Sequence, residues 1–202
     1  MTLVEDIVVK QRGRTAYGDA LQAMRAFTRG RDAGTADEIW LTEHDPVYTL
    51  GQGADEKTVP NRIPVIRSDR GGDITYHGPG QVVLYALVDL ARRGIKVKRW
   101  VWLLEQAVID LVGRGAERKA GAPGVYIDGA KIAALGIRVV RGRAYHGLSL
   151  NVDMDLAPFN AIDPCGYPGL KVTQLRDLGY RKSIFRAGED LAQSLLKRLE
   201  DA

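Results

Sequence analysis

Three β-like runs in the middle of the chain are joined by turns too short for anything but hairpins. GVYID (124–128) meets KIAALGIRVV (131–140) across Asp128-Gly129, a dipeptide favoured in two-residue turns because both positions accept positive φ. KIAALGIRVV meets RAYHGLSLNV (143–152) across Arg141-Gly142-Arg143 in the same manner. Such connections leave no room for a crossover helix, so these runs pair antiparallel. Further β-like runs are EIWLTEHD (38–45), PVYTLG (46–51), IPVIRS (63–68) and QVVLYALVDL (81–90). Helical periodicity is confined to three stretches. Tyr17, Ala20, Leu21, Met24 and Phe27 share a face over 15–29; Val101, Leu104, Val108, Leu111 and Val112 share one over 99–113; Leu191, Leu195 and Leu199 mark a C-terminal helix. Strands outnumber helices, so the expectation is an α+β fold: a mixed or mainly antiparallel sheet with helices packed against it.

At 202 residues the chain is expected to form a single domain over 1–202, large enough to bury roughly 70% of the surface its unfolded form exposes. No run approaches the ~20 apolar residues that span a bilayer. The start, MTLVEDIVVK, carries acids where a signal peptide carries bases. One cysteine forms no internal disulfide. These features together point to a cytoplasmic protein with no membrane partner. The net charge of +4 is mild, and its densest run, ARRGIKVKRW (91–100), lacks the interleaved aromatics of a nucleic-acid binder. That run is either a solvated loop or a landing place for an acidic protein. GRGAER (113–118) follows a helix as a C-cap segment does.

The lone cysteine, Cys165, sits in IDPCGYPGLKVTQL (162–175), between Pro164 and Pro168 and beside Gly166 and Gly169. A cysteine in a core lies within an apolar period, and this one does not. Prolines that hold the backbone and glycines that admit a visitor suit a nucleophile that needs fixed geometry and open space. Such a thiol also needs a group that favours thiolate. Lys131, directly after the Asp-Gly turn, is the candidate. Strict alternation places it on one face with Ala133, Leu135 and Ile137. Both faces of that strand are apolar, so the lysine sits either at the rim with its ammonium in water or is drawn inward; drawn inward, its pKa falls.

The third stretch with chemical content is RGGDITYHGPGQ (70–81). Gly71-Gly72 permits close backbone approach, Gly78-Pro79-Gly80 makes a tight turn, and Asp73, Thr75 and His77 share one face of the short strand between them. Arg70 and His77 give this segment the character of a binding rim. It holds no phosphate-loop motif. His44, His77 and His146 are far apart in sequence, without a second cysteine, so zinc spacing is absent. They read as hydrogen-bonded structural residues, with His77 and His146 candidates for lining a site.

EHDPVYTLG, RGGDITYHGPGQVVLY, GVYIDGAKIAALGIRV, YHGLSLNV and DPCGYPGLKVTQL, taken together over about 40–176, resemble the octanoyl-[acyl-carrier-protein]:protein octanoyltransferases, also called lipoyl(octanoyl) transferases. The resemblance implies the fold shared with biotin and lipoate ligases. It implies Cys165 as acyl-thioester nucleophile and Lys131 as the residue that lowers its pKa. It implies substrate contacts at Arg70, Gly71, Gly72, Asp73, Ile74, Thr75, Tyr76 and His77, at Ala134, Leu135 and Gly136, and at Gly147, Leu148 and Ser149. The acyl tail is expected in an apolar tunnel beside Ala134–Gly136. The implied donor is octanoyl-acyl carrier protein; the implied acceptors are lipoyl domains of 2-oxoacid dehydrogenases and the glycine-cleavage H protein. No cofactor or metal is implied. The rival reading is an ATP-dependent lipoate or biotin ligase on the same fold, which needs no cysteine, and a third is a non-catalytic acyl or carrier binder.

Overall fold

The computed structural model describes residues 7–54, 62–162 and 169–201. Among the described residues, ten strands and three α-helices form two sheets and two helical layers. The strands are β1 (Ile7–Thr15), β2 (Asp37–His44), β3 (Val47–Leu50), β4 (Val65–Arg67), β5 (Ile74–His77), β6 (Gln81–Asp89), β7 (Ala116–Lys119), β8 (Ala122–Ile127), β9 (Ala130–Val140) and β10 (Arg143–Asn151). The helices are α1 (Tyr17–Gly30), α2 (Val97–Val112) and α3 (Ile184–Glu200).

The large sheet has the order β1-β2-β6-β10-β9-β8-β7 and the small one the order β4-β3-β5. Both are mixed: β1–β2 and β3–β4 run parallel and the other pairs antiparallel. The fold is therefore α+β with a mixed sheet, as the sequence implied. Both expected hairpin turns form, with positive φ at Asp128, Gly129, Arg141 and Gly142, the backbone that the short loops demand.

Strand β6 shows why the sheet is covered on both faces. Val82, Leu84, Ala86 and Val88 enter the larger core under α2 and α3, while Val83, Tyr85 and Leu87 enter a second core under α1. A strand covered on both sides reads as continuous apolar sequence. Helix α1 buries Tyr17, Ala20, Leu21, Met24 and Thr28. Helix α2 buries Trp100, Leu103, Leu104, Ala107 and Val108, a stripe turned from the one its aliphatic residues suggest; Val101 lies instead at an outer groove. Ser183 caps α3 by accepting from the Arg186 N–H at 3.2 Å. A third core, of Tyr48, Leu50, Ile74, Tyr76, Met154 and Phe159, holds the small sheet.

Two strands escape the sequence reading. β1 is an edge strand exposed along seven consecutive residues, with no alternation to reveal it. β7 covers Ala116–Lys119, so GRGAER caps α2 at Gly113, as expected, and then turns into a strand. The run 91–100 divides in two. Arg92 and Arg93 bind Asp37 at 2.8 and 2.5 Å, beside Arg31 at 2.5 Å. Lys96, Lys98 and Arg99 stay exposed around the start of α2. Only the second half of that run thus presents charge to a visitor.

Candidate active site

The segment 70–72 leaves the small sheet and lies across β9, where the Gly71 N–H donates to the Ile137 carbonyl at 3.0 Å. Glycine is required at the crossing. A Cβ on Gly136 would stand 2.8 Å from the Gly71 carbonyl oxygen and 3.1 Å from Arg70 Cδ. On the neighbouring strand, a Cβ on Gly147 would stand 2.1 Å from the Leu84 oxygen. Bare backbone at these two positions lets the segments approach closely, and a cleft open to solvent lies beside them.

Its walls bring together Arg70, Gly72, Asp73, Ile74, Thr75 and His77 from the glycine-rich segment, Ala134 to Gly136 from β9, and Gly147 to Ser149 from β10. Tyr17, Val83, Tyr85 and His146 complete it. Two expected contacts fall elsewhere. The Tyr76 side chain packs into the third core against Tyr48 and Phe159, because alternation on β5 turns it away from Thr75 and His77. Gly71 supports the crossing and lines the outer groove with Val101, Ala122 and Pro123. Cys165 lies outside the described residues.

Lys131 is drawn inward, with 3% exposure. Its face differs from the one strict alternation assigns. Ala133 pairs with Val125 and Lys131 with Tyr126, so β9 spends one extra residue between them, a β-bulge. Ile132 and Ala133 both enter the large core, while Lys131 is displaced to the Tyr126 side. Its Nζ donates to the Pro123 carbonyl at 3.3 Å and lies 5.2 Å from the centre of the Tyr126 ring. The Lys131 backbone carries another strand partner: its N–H donates to Lys171 O at 2.8 Å and its carbonyl accepts from Thr173 N–H at 3.0 Å.

The far end of the cleft is polar, which corrects the expectation of a wholly apolar tunnel. Arg70 donates from Nε and Nη2 to the Thr49 hydroxyl, from Nη2 to the Thr49 carbonyl and from Nη1 to its neighbour Gly71 O. All three histidines of the chain gather around Tyr17 and Tyr85. His77 stacks on Tyr17 at 5.7 Å and meets His44 edge-on at 5.8 Å. Burial, then the neighbouring His44, push the His77 pKa down to about 3, so its ring is neutral and Nδ1–H donates to Gln81 Oε1 at 2.7 Å. His44 Nδ1–H donates to the Thr15 carbonyl at 2.8 Å, leaving Nε2 to accept from the Tyr85 hydroxyl at 2.6 Å.

His146 and Tyr145 are consecutive on β10, yet both reach Asp69, at 2.8 and 2.7 Å. An extended strand would send them to opposite faces. His146 has φ +62, a left-handed backbone that costs an L-residue roughly 1–2 kcal/mol, and this stacks its ring on Tyr145 at 4.9 Å. Arg25 Nε donates to the same carboxylate at 2.9 Å. Burial works against the Asp69 charge, but the hydrogen bonds of His146, Tyr145 and Arg25 outweigh it and hold the pKa well below the usual carboxylate range. Sequence reasoning missed Tyr17, Tyr85 and Asp69, which carry no motif signal. Among the described residues no cluster of metal-ligating side chains occurs.

The family profile described as the lipoyl protein ligase A/B catalytic domain matches residues 16–196. An octanoyltransferase of Thiobacillus denitrificans is 58% identical over 198 residues, covering 96% of this chain and 91% of the relative. A bipartite lipoate protein ligase of Thermoplasma acidophilum shares the fold at a TM-score of 0.76 and 16% identity, over 96% of this chain and 84% of that one. A biotin protein ligase of Aquifex aeolicus shares it at 0.53 and 10% identity, over 96% and 69%. The sequence resemblance and the ligase-like fold are thereby borne out, and this chain belongs to the lipoyl protein ligase A/B catalytic-domain family, where it groups with the octanoyltransferases, which are acyltransferase enzymes.

Proposed function

We propose that this protein moves an octanoyl group from octanoyl-acyl carrier protein to one lysine of a lipoyl domain or of the glycine-cleavage H protein, in the cytoplasm, through a thioester on Cys165. The observation that carries this reading is the burial of Lys131 on the strand that lines the cleft, with residues 171–173, just downstream of the only cysteine, paired to its backbone. No helix of the described residues is long and apolar enough to cross a membrane.

Lys131 favours the Cys165 thiolate, which attacks the acyl carbonyl of the donor. The carbonyl carbon gains a bond to Cys165 sulfur and loses its bond to the carrier's thiol, which leaves and takes up a proton. One thioester replaces another, so the acyl group stays activated and no ATP is consumed. The acceptor amine then attacks. A C–N bond forms, the Cys165 sulfur leaves, and the amine's proton passes to neutral Lys131. Burial opposes charge on a lysine, which suits an amine that must both receive and return a proton. The octanoyl chain lies along Ala134–Gly136 and Gly147–Ser149, where each buried CH₂ contributes about 0.8 kcal/mol.

Incubation of the protein with octanoyl carrier protein and a lipoyl domain, without ATP or Mg²⁺, tests the reading. An octanoyl amide on the lipoyl domain is expected. Transfer from free octanoate that requires ATP would instead establish the ligase reaction.

A further inference from the structure

His146 holds an acceptor that nothing among the described residues satisfies. His146 lines the cleft, and its hydrogen-bond partner Asp69 lines a second cavity with Tyr145. The Asp69 carboxylate only accepts, so the hydrogen of His146 sits on Nε2, 2.8 Å away. Burial lowers the His146 pKa against the pull of Asp69, leaving the ring neutral and Nδ1 a bare lone pair. That Nδ1 is buried without a hydrogen-bond partner. The nearby Tyr85 hydroxyl is committed to His44. Strained backbone and an unmet buried acceptor, both on a residue that lines the cleft, are features that a ligand explains.

Strand register locates this acceptor relative to the chemistry proposed above, on which the inference rests. His146 pairs with Ile137, six residues along β9 from Lys131, a Cα separation of roughly 20 Å. The two side chains and an extended eight-carbon chain together bridge that span. A chain whose carbonyl sits at the Lys131 end therefore directs its distal carbons to His146, where plain octanoyl leaves the acceptor unmet. We infer that the far end of the cleft is a subsite for medium-chain acyl groups that carry a hydroxyl donor on their distal carbons, with His146 Nδ1 accepting that hydrogen and Asp69 fixing the tautomer.

The test compares carrier-bound octanoyl with its hydroxy and oxo derivatives at C6, C7 and C8, using kcat/KM for each and calorimetry of the free acids as a readout independent of turnover. In the wild type, one hydroxy position is expected to perform within about threefold of octanoyl, while the oxo chain, which only accepts, falls about tenfold or more below it. His146→Phe should lower the hydroxy-to-octanoyl ratio about tenfold or more. Asp69→Asn keeps the ring and supplies a second route. With the amide oxygen held by Arg25 and Tyr145, its NH₂ faces Nε2 and moves the ring hydrogen to Nδ1, so the oxo chain should gain relative to octanoyl. Equal hydroxy-to-octanoyl ratios in wild type and both variants would overturn the subsite while leaving octanoyl transfer intact. Loss of octanoyl transfer in the wild type would overturn the parent reaction instead, and the calorimetric ratios would still decide the subsite.

Discussion

Lys131 and Val172 face each other as parallel strand partners, tied by hydrogen bonds from Lys131 N–H to Lys171 O and from Thr173 N–H to Lys131 O. The segment downstream of Cys165 is thus anchored to the backbone of the lysine proposed to tune it. A lysine alone on a hairpin would serve as well at a rim; the bulge at Ile132 and the return of 171–173 make it part of the interior.

Lys131→Met keeps most of the side-chain volume and removes the amine. Acyl-enzyme formation at pH 7 is expected to slow by about 10²–10⁴-fold, the range of a lost acid–base group, and to recover in part at alkaline pH as the thiol ionises unaided. Single-turnover rates from pH 6 to 10 check this. A wild-type rate at pH 7 would remove the proposed role.

Gly136→Ala forces a Cβ to within 2.8 Å of the Gly71 oxygen. Overpacking of this kind costs about 1–3 kcal/mol, and the displaced segment also carries Arg70. A lower urea midpoint together with a raised KM for the acyl donor is expected. An unchanged KM would mean that the crossing of 70–72 over β9 does not shape the cleft.

The buried histidines set a pH dependence of stability. The folded His77 pKa, about 3, lies below the unfolded value near 6.5, so between these values the unfolded chain binds a proton that the folded one refuses. Stability is full above pH 6.5 and falls as pH drops toward 3. His44 and His146 are shifted the same way. Between pH 7.5 and 5.5 His77 alone accounts for a loss of about 1 kcal/mol. Urea titrations at the two pH values measure it, and His77→Phe should flatten the slope; a flat wild-type profile would contradict neutral burial.

Arginines and lysines of the run 91–100 should separate by function. Arg93 is 4% exposed against Asp37, and Arg93→Ala leaves the buried carboxylate with Arg31 and Arg92 alone, at a cost of about 1–3 kcal/mol without a specific effect on carrier affinity. Lys96→Glu with Lys98→Glu should raise the KM for the carrier in a salt-sensitive way and leave the melting temperature unchanged. The converse pattern would place the carrier elsewhere.

Much of this architecture is legible in the sequence because its signals are local. Asp128-Gly129 and Arg141-Gly142 dictate hairpins by backbone preference alone, and Gly71-Gly72 announces close approach before any coordinates are seen. What sequence hides is long-range. β1 is recognisable only through its parallel partner, since its residues face water. The Lys131 face depends on a bulge that alternation cannot register. Tyr17 and Tyr85 join the cleft through the tertiary fold, Asp69 reaches His146 from the second cavity, and the three histidines, 33 and 69 positions apart in sequence, meet only around the Tyr17–Tyr85 pair.

Intact-mass spectrometry of the protein after brief exposure to octanoyl carrier protein, followed by peptide mapping, addresses the central claim most directly. The account predicts a single octanoyl adduct on Cys165, released when a lipoyl domain is added and absent from Cys165→Ala. Undiminished transfer to the lipoyl domain by Cys165→Ala, with no adduct on the wild type, would contradict it.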